Sequence, residues 1–281
     1  MFKIMKYQLK SSRNTIVFVL ASLAIVHGIT FIFELIQSLG GSESVTSFTN
    51  FWMPFAGMSV FGILFIQFFR CSSGHVGELL YKDTNYLMLT IPRHGWEILG
   101  GRFLAGLIEY IIYGVGSFAL LGVHALIQEA IPVNYSHKMF EFLRYAIEHL
   151  FLNFGSLLQA GFIALCLYAM TGAFISFAFT ASRSFIKKRG AASIVAVIGF
   201  IVIINWTVKL GEFLGEKLGW FIDISFKFRN ILPEMNGLQP MGDNMFVKMV
   251  QIPVASYILY ALVTAAVFAA ASWLMEKKVE V

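Results

Sequence analysis

Charge is scarce in this chain. Of 281 residues, only 13% are Asp, Glu, Lys or Arg, about half of what a soluble domain carries. Such a chain cannot cover its own surface with polar groups, which excludes a soluble enzyme, a nucleic-acid binder and a disordered protein. Cysteine is nearly absent as well. Cys71 and Cys166, the only two, form neither a disulfide framework nor a zinc pattern and read as small buried apolar residues. A nucleotide-binding loop is missing: Gly211-Glu-Phe-Leu-Gly215-Glu-Lys217-Leu has the wrong glycine spacing, a displaced Lys and no following Ser or Thr. The six histidines offer no H-E-x-x-H spacing, so His27 and His124, inside apolar runs, are expected to be satisfied helix-packing residues. His137, Glu148 and His149 likewise carry no metal-site spacing, and no nucleophile elbow is present.

Apolar residues dominate instead: 58% of the chain, with 29 Phe and a mean hydropathy of +0.74. About 20 apolar residues cross the hydrocarbon layer as a helix. Six segments qualify, at about 15–36, 51–69, 98–127, 149–180, 191–208 and 252–275. The expected fold is an all-α integral membrane protein, one transmembrane domain over 1–281. The first segment is too long for a signal h-region and lacks an A-x-A site, so it reads as a retained span. Residues 1–14, with Phe2, Ile4, Met5 and Leu9 among lysines, suit an amphipathic helix at the interface.

Basic residues set the orientation. The N-terminus, the 70–97 loop with Arg102 just beyond it, the 181–190 loop and the tail hold 14 Lys and Arg, against 7 in the other connections. Positive loops stay inside, which places both termini in the cytoplasm and accounts for the formal charge of +5 without nucleic acid. The longest outer connection, 209–251, opens with Gly211, Gly215 and Gly219, a spacing that packs helices closely. It then alternates Ile222, Ile224, Phe226 and Phe228 with polar residues, the period of a strand. This extended loop is expected to fold back onto the outer helix ends as a re-entrant element.

Two further features stand out. Glu109 lies within the third apolar run beside Tyr110 and Tyr113. A carboxylate there costs about 2.5–3.5 kcal/mol on insertion scales, so it should face protein or water, lining a path or fixing helix packing. The 70–97 loop is unusually apolar, with Leu79, Leu80, Leu87 and Leu89. Asp83 or Thr84 can cap a short helix carrying Tyr86, Leu87 and Met88, and Pro92 ends it. Such a helix needs a partner to cover it.

That loop resembles one known family, the permease subunits of bacterial type-2 ATP-binding-cassette (ABC) exporters. The matching residues are Asp83, Tyr86, Leu87, Leu89 and Pro92, then Trp96, Glu97, Ile98, Leu99, Gly100 and Arg102. The ending from Ser272 to Val279 is also similar to the family's usual tail, whereas Arg93-His94-Gly95 departs from its pattern. The resemblance implies a permease in the cell membrane, a dimer of identical or related copies above two separate ATPase subunits that hold ATP and Mg. It implies a coupling helix at about 78–92, with Glu78, Lys82, Asp83, Tyr86, Leu87, Met88, Leu89, Pro92 and Arg93 at the ATPase contact. It implies no catalytic residue, cofactor or metal on this chain, and an amphipathic or hydrophobic cargo, with a peptide or peptide antibiotic as the first expectation. The readings set against it are a proton-coupled secondary transporter relaying through Glu109, an intramembrane enzyme using Glu109 with His137 or His149, and a membrane anchor for a sensor or kinase.

Overall fold

The computed structural model describes residues 1–40, 43–81, 94–130, 147–229 and 245–277. Its elements in chain order are α1 (Phe2–Ser38), α2 (Glu43–Ser72), α3 (Val76–Tyr81), α4 (Gly95–Ala130), α5 (Phe154–Phe185), α6 (Arg189–Leu218), β1 (Phe221–Arg229), β2 (Met245–Pro253) and α7 (Val254–Lys277). All but the short α3 are, as helices, long and apolar enough to cross a membrane, six among the described residues. The chain is thus an all-α multi-pass protein with one added β-ribbon.

Several boundaries differ from the hydropathy expectation. Residues 1–14 do not form a separate interface helix. They are the first turns of α1, which runs unbroken to Ser38 because no Gly or Pro interrupts 2–27. The fourth span starts later and ends later than expected, at Phe154–Phe185. The fifth takes ten residues from the expected outer loop and stops at Leu218. There Gly219 adopts the left-handed conformation (φ +62°) and donates its N–H to the Gly215 carbonyl at 3.1 Å, a glycine helix stop.

The helices group as α1–α2–α4 and α5–α6–α7, joined where α2 and α3 meet α5 and where α4 meets α7. Helix α5 is the most deeply buried span. Chain direction alternates, so Met1, the end of α2, the start of α4 and the end of α7 gather at one end of the bundle. An apolar cluster holds that end together: Val76, Leu79 and Leu80 of α3, Ile98 and Leu99 of α4, Ile175 of α5, and Ala271 and Met275 of α7. Glu276 adds a cap, its carboxylate accepting the Gly95 N–H at 2.6 Å where the first turn of α4 leaves its amides unpaired.

The strand period is realised in the 209–251 region. β1 and β2 pair antiparallel, with Phe221 opposite Pro253 and Arg229 opposite Met245. The element that folds back is this ribbon. Asn153 accepts the Lys227 N–H at 2.6 Å and donates to the Lys227 carbonyl at 2.9 Å, while Ser156 donates to the Ser225 carbonyl at 2.6 Å. The glycine spacing is also realised: Gly211 lies against Tyr260, Gly215 lies against Pro253 and Ser256, and Ser256 donates to the Gly211 carbonyl at 2.6 Å.

The tightest contacts surround the last turn of α2. Gly106 of α4 lies on the Cys71 carbonyl, and Gly172 of α5 lies on the Ser72 carbonyl, each too close for a β-carbon. Gly106→Ala and Gly172→Ala should each destabilise the chain by about 1–3 kcal/mol, the range for overpacking. Gly114, on the same helix with open space around it, should accept Ala without loss. Thermal unfolding of the three variants in detergent checks this ordering.

Candidate functional site at the end of the second span

Helix α2 ends in a tight turn. Gly74 (φ +58°) and His75 (φ +56°) both take left-handed backbone conformations, costly for a histidine unless its surroundings fix it. They do so from two directions. Arg102 of α4 donates from Nε to the Gly74 carbonyl at 2.8 Å and from Nη2 to the His75 carbonyl at 3.1 Å. The His75 Nε2 lies 2.7 Å from Oε2 of Glu109, also on α4. Glu109 is fully buried. Its second oxygen, Oε1, has no hydrogen-bond partner among the described residues.

The hydrogen-bond directions fix the tautomer. Arg70 Nε lies 3.1 Å from His75 Nδ1, and a guanidinium can only donate. Nδ1 is therefore the acceptor, and the ring proton sits on Nε2, donated to Glu109. Arg70 Nη2 also donates to Glu78 Oε1 at 2.8 Å. Two carboxylates, Glu78 and Glu109, thus face two guanidiniums, Arg70 and Arg102, around one imidazole. Burial opposes a second proton on His75, but hydrogen bonding with Glu109 and Glu78 outweighs it and raises the affinity of the ring for that proton. The second proton would occupy Nδ1, displace Arg70 and face Glu78 Oε1, 3.8 Å away.

Cys71, His75 and Glu109 have donor atoms within 4.8 Å of one another, the spacing of a metal site. The hydrogen bonds argue against that use. His75 Nε2 carries the proton, so it has no lone pair to offer, and the four charged side chains already balance without a cation.

A cavity of about 370 Å³ opens beside this network, walled by Arg70, His75 and Glu78 and by Ile175, Phe179 and Phe200. A second, apolar cavity of about 420 Å³ lies between α4, α5 and α7, lined by Phe103, Cys166, Tyr260 and Phe268 among others.

The sequence-derived residues distribute unevenly. Glu109 stands level with the turn that ends α2, and its partner is His75. Tyr113 is buried against Ile16, Cys71 and Tyr168, and Tyr110 packs its ring near Phe68 and Tyr168. Glu78 joins the network, whereas Lys82, Asp83, Tyr86, Leu87, Met88, Leu89, Pro92 and Arg93 lie outside the described residues, as does His137. Sequence reasoning missed His75 and Arg70. Gly74, a helix breaker just before a histidine, was the available signal. Of the two intramembrane histidines, His124 packs between the helices beside Glu34 as expected, whereas the expectation for His27 is corrected. Their rings do meet, with centroids 5.1 Å apart, but neither ring nitrogen of His27 has a hydrogen-bond partner among the described residues. No protein-family model, curated protein or solved structure matches this chain.

Replacing one member of a buried charged pair strands the other, at about 3–5 kcal/mol. Glu109→Leu should therefore unfold the chain at clearly lower temperature, while Glu109→Gln, which keeps an acceptor for His75 Nε2–H, should lose much less. The raised proton affinity of His75 has a definite sign: its contribution is complete below the ordinary histidine value of 6.5 and fades as pH rises through the higher folded value. Melting temperature measured upward from pH 6.5 should fall in the native chain. His75→Asn, which tolerates the left-handed backbone, should flatten that slope.

Proposed function

We propose that this chain is the transmembrane subunit of an ATP-driven ABC exporter. It would work as a homodimer or beside a related permease, with two copies of a separate ATPase that bind ATP and Mg. The observation that carries the reading is the sequence pattern across the α2–α4 connection: Asp83, Tyr86, Leu87, Leu89 and Pro92, then Trp96 to Arg102. The structure adds support at its base. Helix α3 leads straight into that pattern, and the turn before it is tied to α4 through Glu109 and Arg102. A push on residues 82–93 would reach α2 and α4 together, as coupling between sites requires a connected two-state element. The residues Glu78, Lys82, Asp83, Tyr86, Leu87, Met88, Leu89, Pro92 and Arg93 would form the ATPase contact. No catalytic role falls to this chain.

The cargo we propose is amphipathic or hydrophobic, with a peptide or peptide antibiotic as the first candidate. The apolar cavity between α4, α5 and α7 supports this class. Both termini would lie in the cytoplasm of a cell membrane, following the basic residues. The second reading is a proton-coupled transporter, and one observation favours it: a buried carboxylate, Glu109, with one oxygen unpartnered.

The deciding experiment is to capture the tagged chain from its native membrane in mild detergent and identify its partners by mass spectrometry. A near-equimolar soluble protein with a P-loop is expected. Its absence from intact, monodisperse chain overturns the ABC reading in favour of the proton-coupled one. In the reconstituted complex, Leu87→Asp should leave ATP hydrolysis running while transport stops, and normal coupling in that variant would remove the coupling-helix assignment. For orientation, single cysteines replacing Ser44 and Ser184 should be labelled from outside only at 44.

A further inference from the structure

Far from the α2–α3 turn, at the other end of α1 and α4, three metal-ligating side chains meet. His27 and Glu34 stand two turns apart on α1, and His124 faces them from α4. All three are at least nine-tenths buried. His124 Nε2 lies 3.5 Å from Glu34 Oε1, beyond a good hydrogen bond. The His27 and His124 ring centroids are 5.1 Å apart with the rings inclined at 65°. Both nitrogens of His27 lack a hydrogen-bond partner among the described residues, in a bundle where buried polar groups are otherwise expected to be paired.

These separations have a simple common explanation. A tetrahedral ion about 2.0–2.1 Å from each ligand holds adjacent donor atoms roughly 3.4 Å apart and two imidazole centroids roughly 5 Å apart. The observed 3.5 Å and 5.1 Å match both. The geometry points to a binding site for a zinc-class divalent ion between α1 and α4, with His27, Glu34 and His124 as ligands and the fourth position open to water. Imidazole and carboxylate are the donors such an ion selects.

One adjustment completes the set. Among the described residues, only the Cys71 group has three donor atoms already within 4.8 Å of one another, so His27 must turn its ring. A half-turn about its Cβ–Cγ bond leaves the centroid in place and swaps Nδ1 with Cδ2 and Nε2 with Cε1, so each nitrogen takes up a position a carbon held. Unlike His75, whose two nitrogens are both engaged by Glu109 and Arg70, His27 breaks no hydrogen bond in turning. The site is independent of the exporter reading, because none of its residues belongs to the α2–α4 connection.

The test uses the purified full-length chain in detergent, stripped with a chelator and titrated with Co²⁺ and then Zn²⁺. One Co²⁺ per chain is expected, with the visible absorption of a four-coordinate site and no thiolate charge-transfer band in the near ultraviolet, and Zn²⁺ should displace it. His27→Ala and His124→Gln should each weaken binding by more than about tenfold while eluting as monodisperse protein, and Cys71→Ser should bind as the native chain does. Loss of binding in Cys71→Ser, or a thiolate band, would move the ion to the α2–α4 site and overturn the proposal. So would a monodisperse native chain that takes up neither ion.

Discussion

The last turn of α2 is pressed between two helices, and much of the architecture depends on how it is seated there. Gly106 and Gly172 let α4 and α5 come onto the Cys71 and Ser72 carbonyls. The chain must then leave through two left-handed residues, Gly74 and His75. That backbone is unfavourable for a histidine, and it persists because Arg102 holds both carbonyls while Glu109 holds the ring. Small residues and buried charge therefore act together: the glycines bring the backbones close, and the charged side chains fix the angle at which α3 departs. The two halves of the bundle, α1–α2–α4 and α5–α6–α7, are joined partly through this turn and α3.

The charge arrangement suits a structural joint that can also respond. Arg70 links His75 to Glu78, and both Arg70 and Glu78 are about one-third exposed, at 34% and 36%, so the network runs from a fully buried carboxylate to the edge of the bundle. Desolvation offsets much of the attraction in a buried ion pair, and the hydrogen bonds here hold one arrangement of the turn. Here the arrangement defined is the path from α2 into the segment that carries the permease-like pattern. At the far end of the bundle, the ribbon of β1 and β2 is tied by Asn153 and Ser156 to the start of α5, which fixes the opposite ends of the same central helix.

Much of the fold was legible without coordinates, because hydropathy is a local sum. Each of the six apolar runs became a helix, and the alternation at 222–228 became a strand. The spacing of Gly211, Gly215 and Gly219 announced a close approach, since that follows from the missing side chain, whereas the helix stop at Gly219 did not show in it. The separate interface helix failed for an equally local reason: nothing in 1–14 breaks a helix, so the amphipathic stretch continued into the span. The site was less legible. Glu109 was visible as a carboxylate needing a partner, but the partner sits 34 residues away in a turn, a distance that no helical period encodes.

By itself, then, the sequence determined that this chain has six segments long and apolar enough to cross a membrane, roughly where they lie, and which connection carries a recognisable pattern. These are properties of composition and short-range spacing, and the bilayer tests each segment on its own terms. Only the tertiary structure decided that Glu109 clasps the end of α2, that Tyr110 and Tyr113 pack against other aromatic and apolar side chains, and that His27, Glu34 and His124 share one place between α1 and α4. Those pairings depend on helix rotation and relative height. In a membrane, close packing and buried hydrogen bonds set both, because lipid offers no hydrophobic driving force to prefer one apolar face over another.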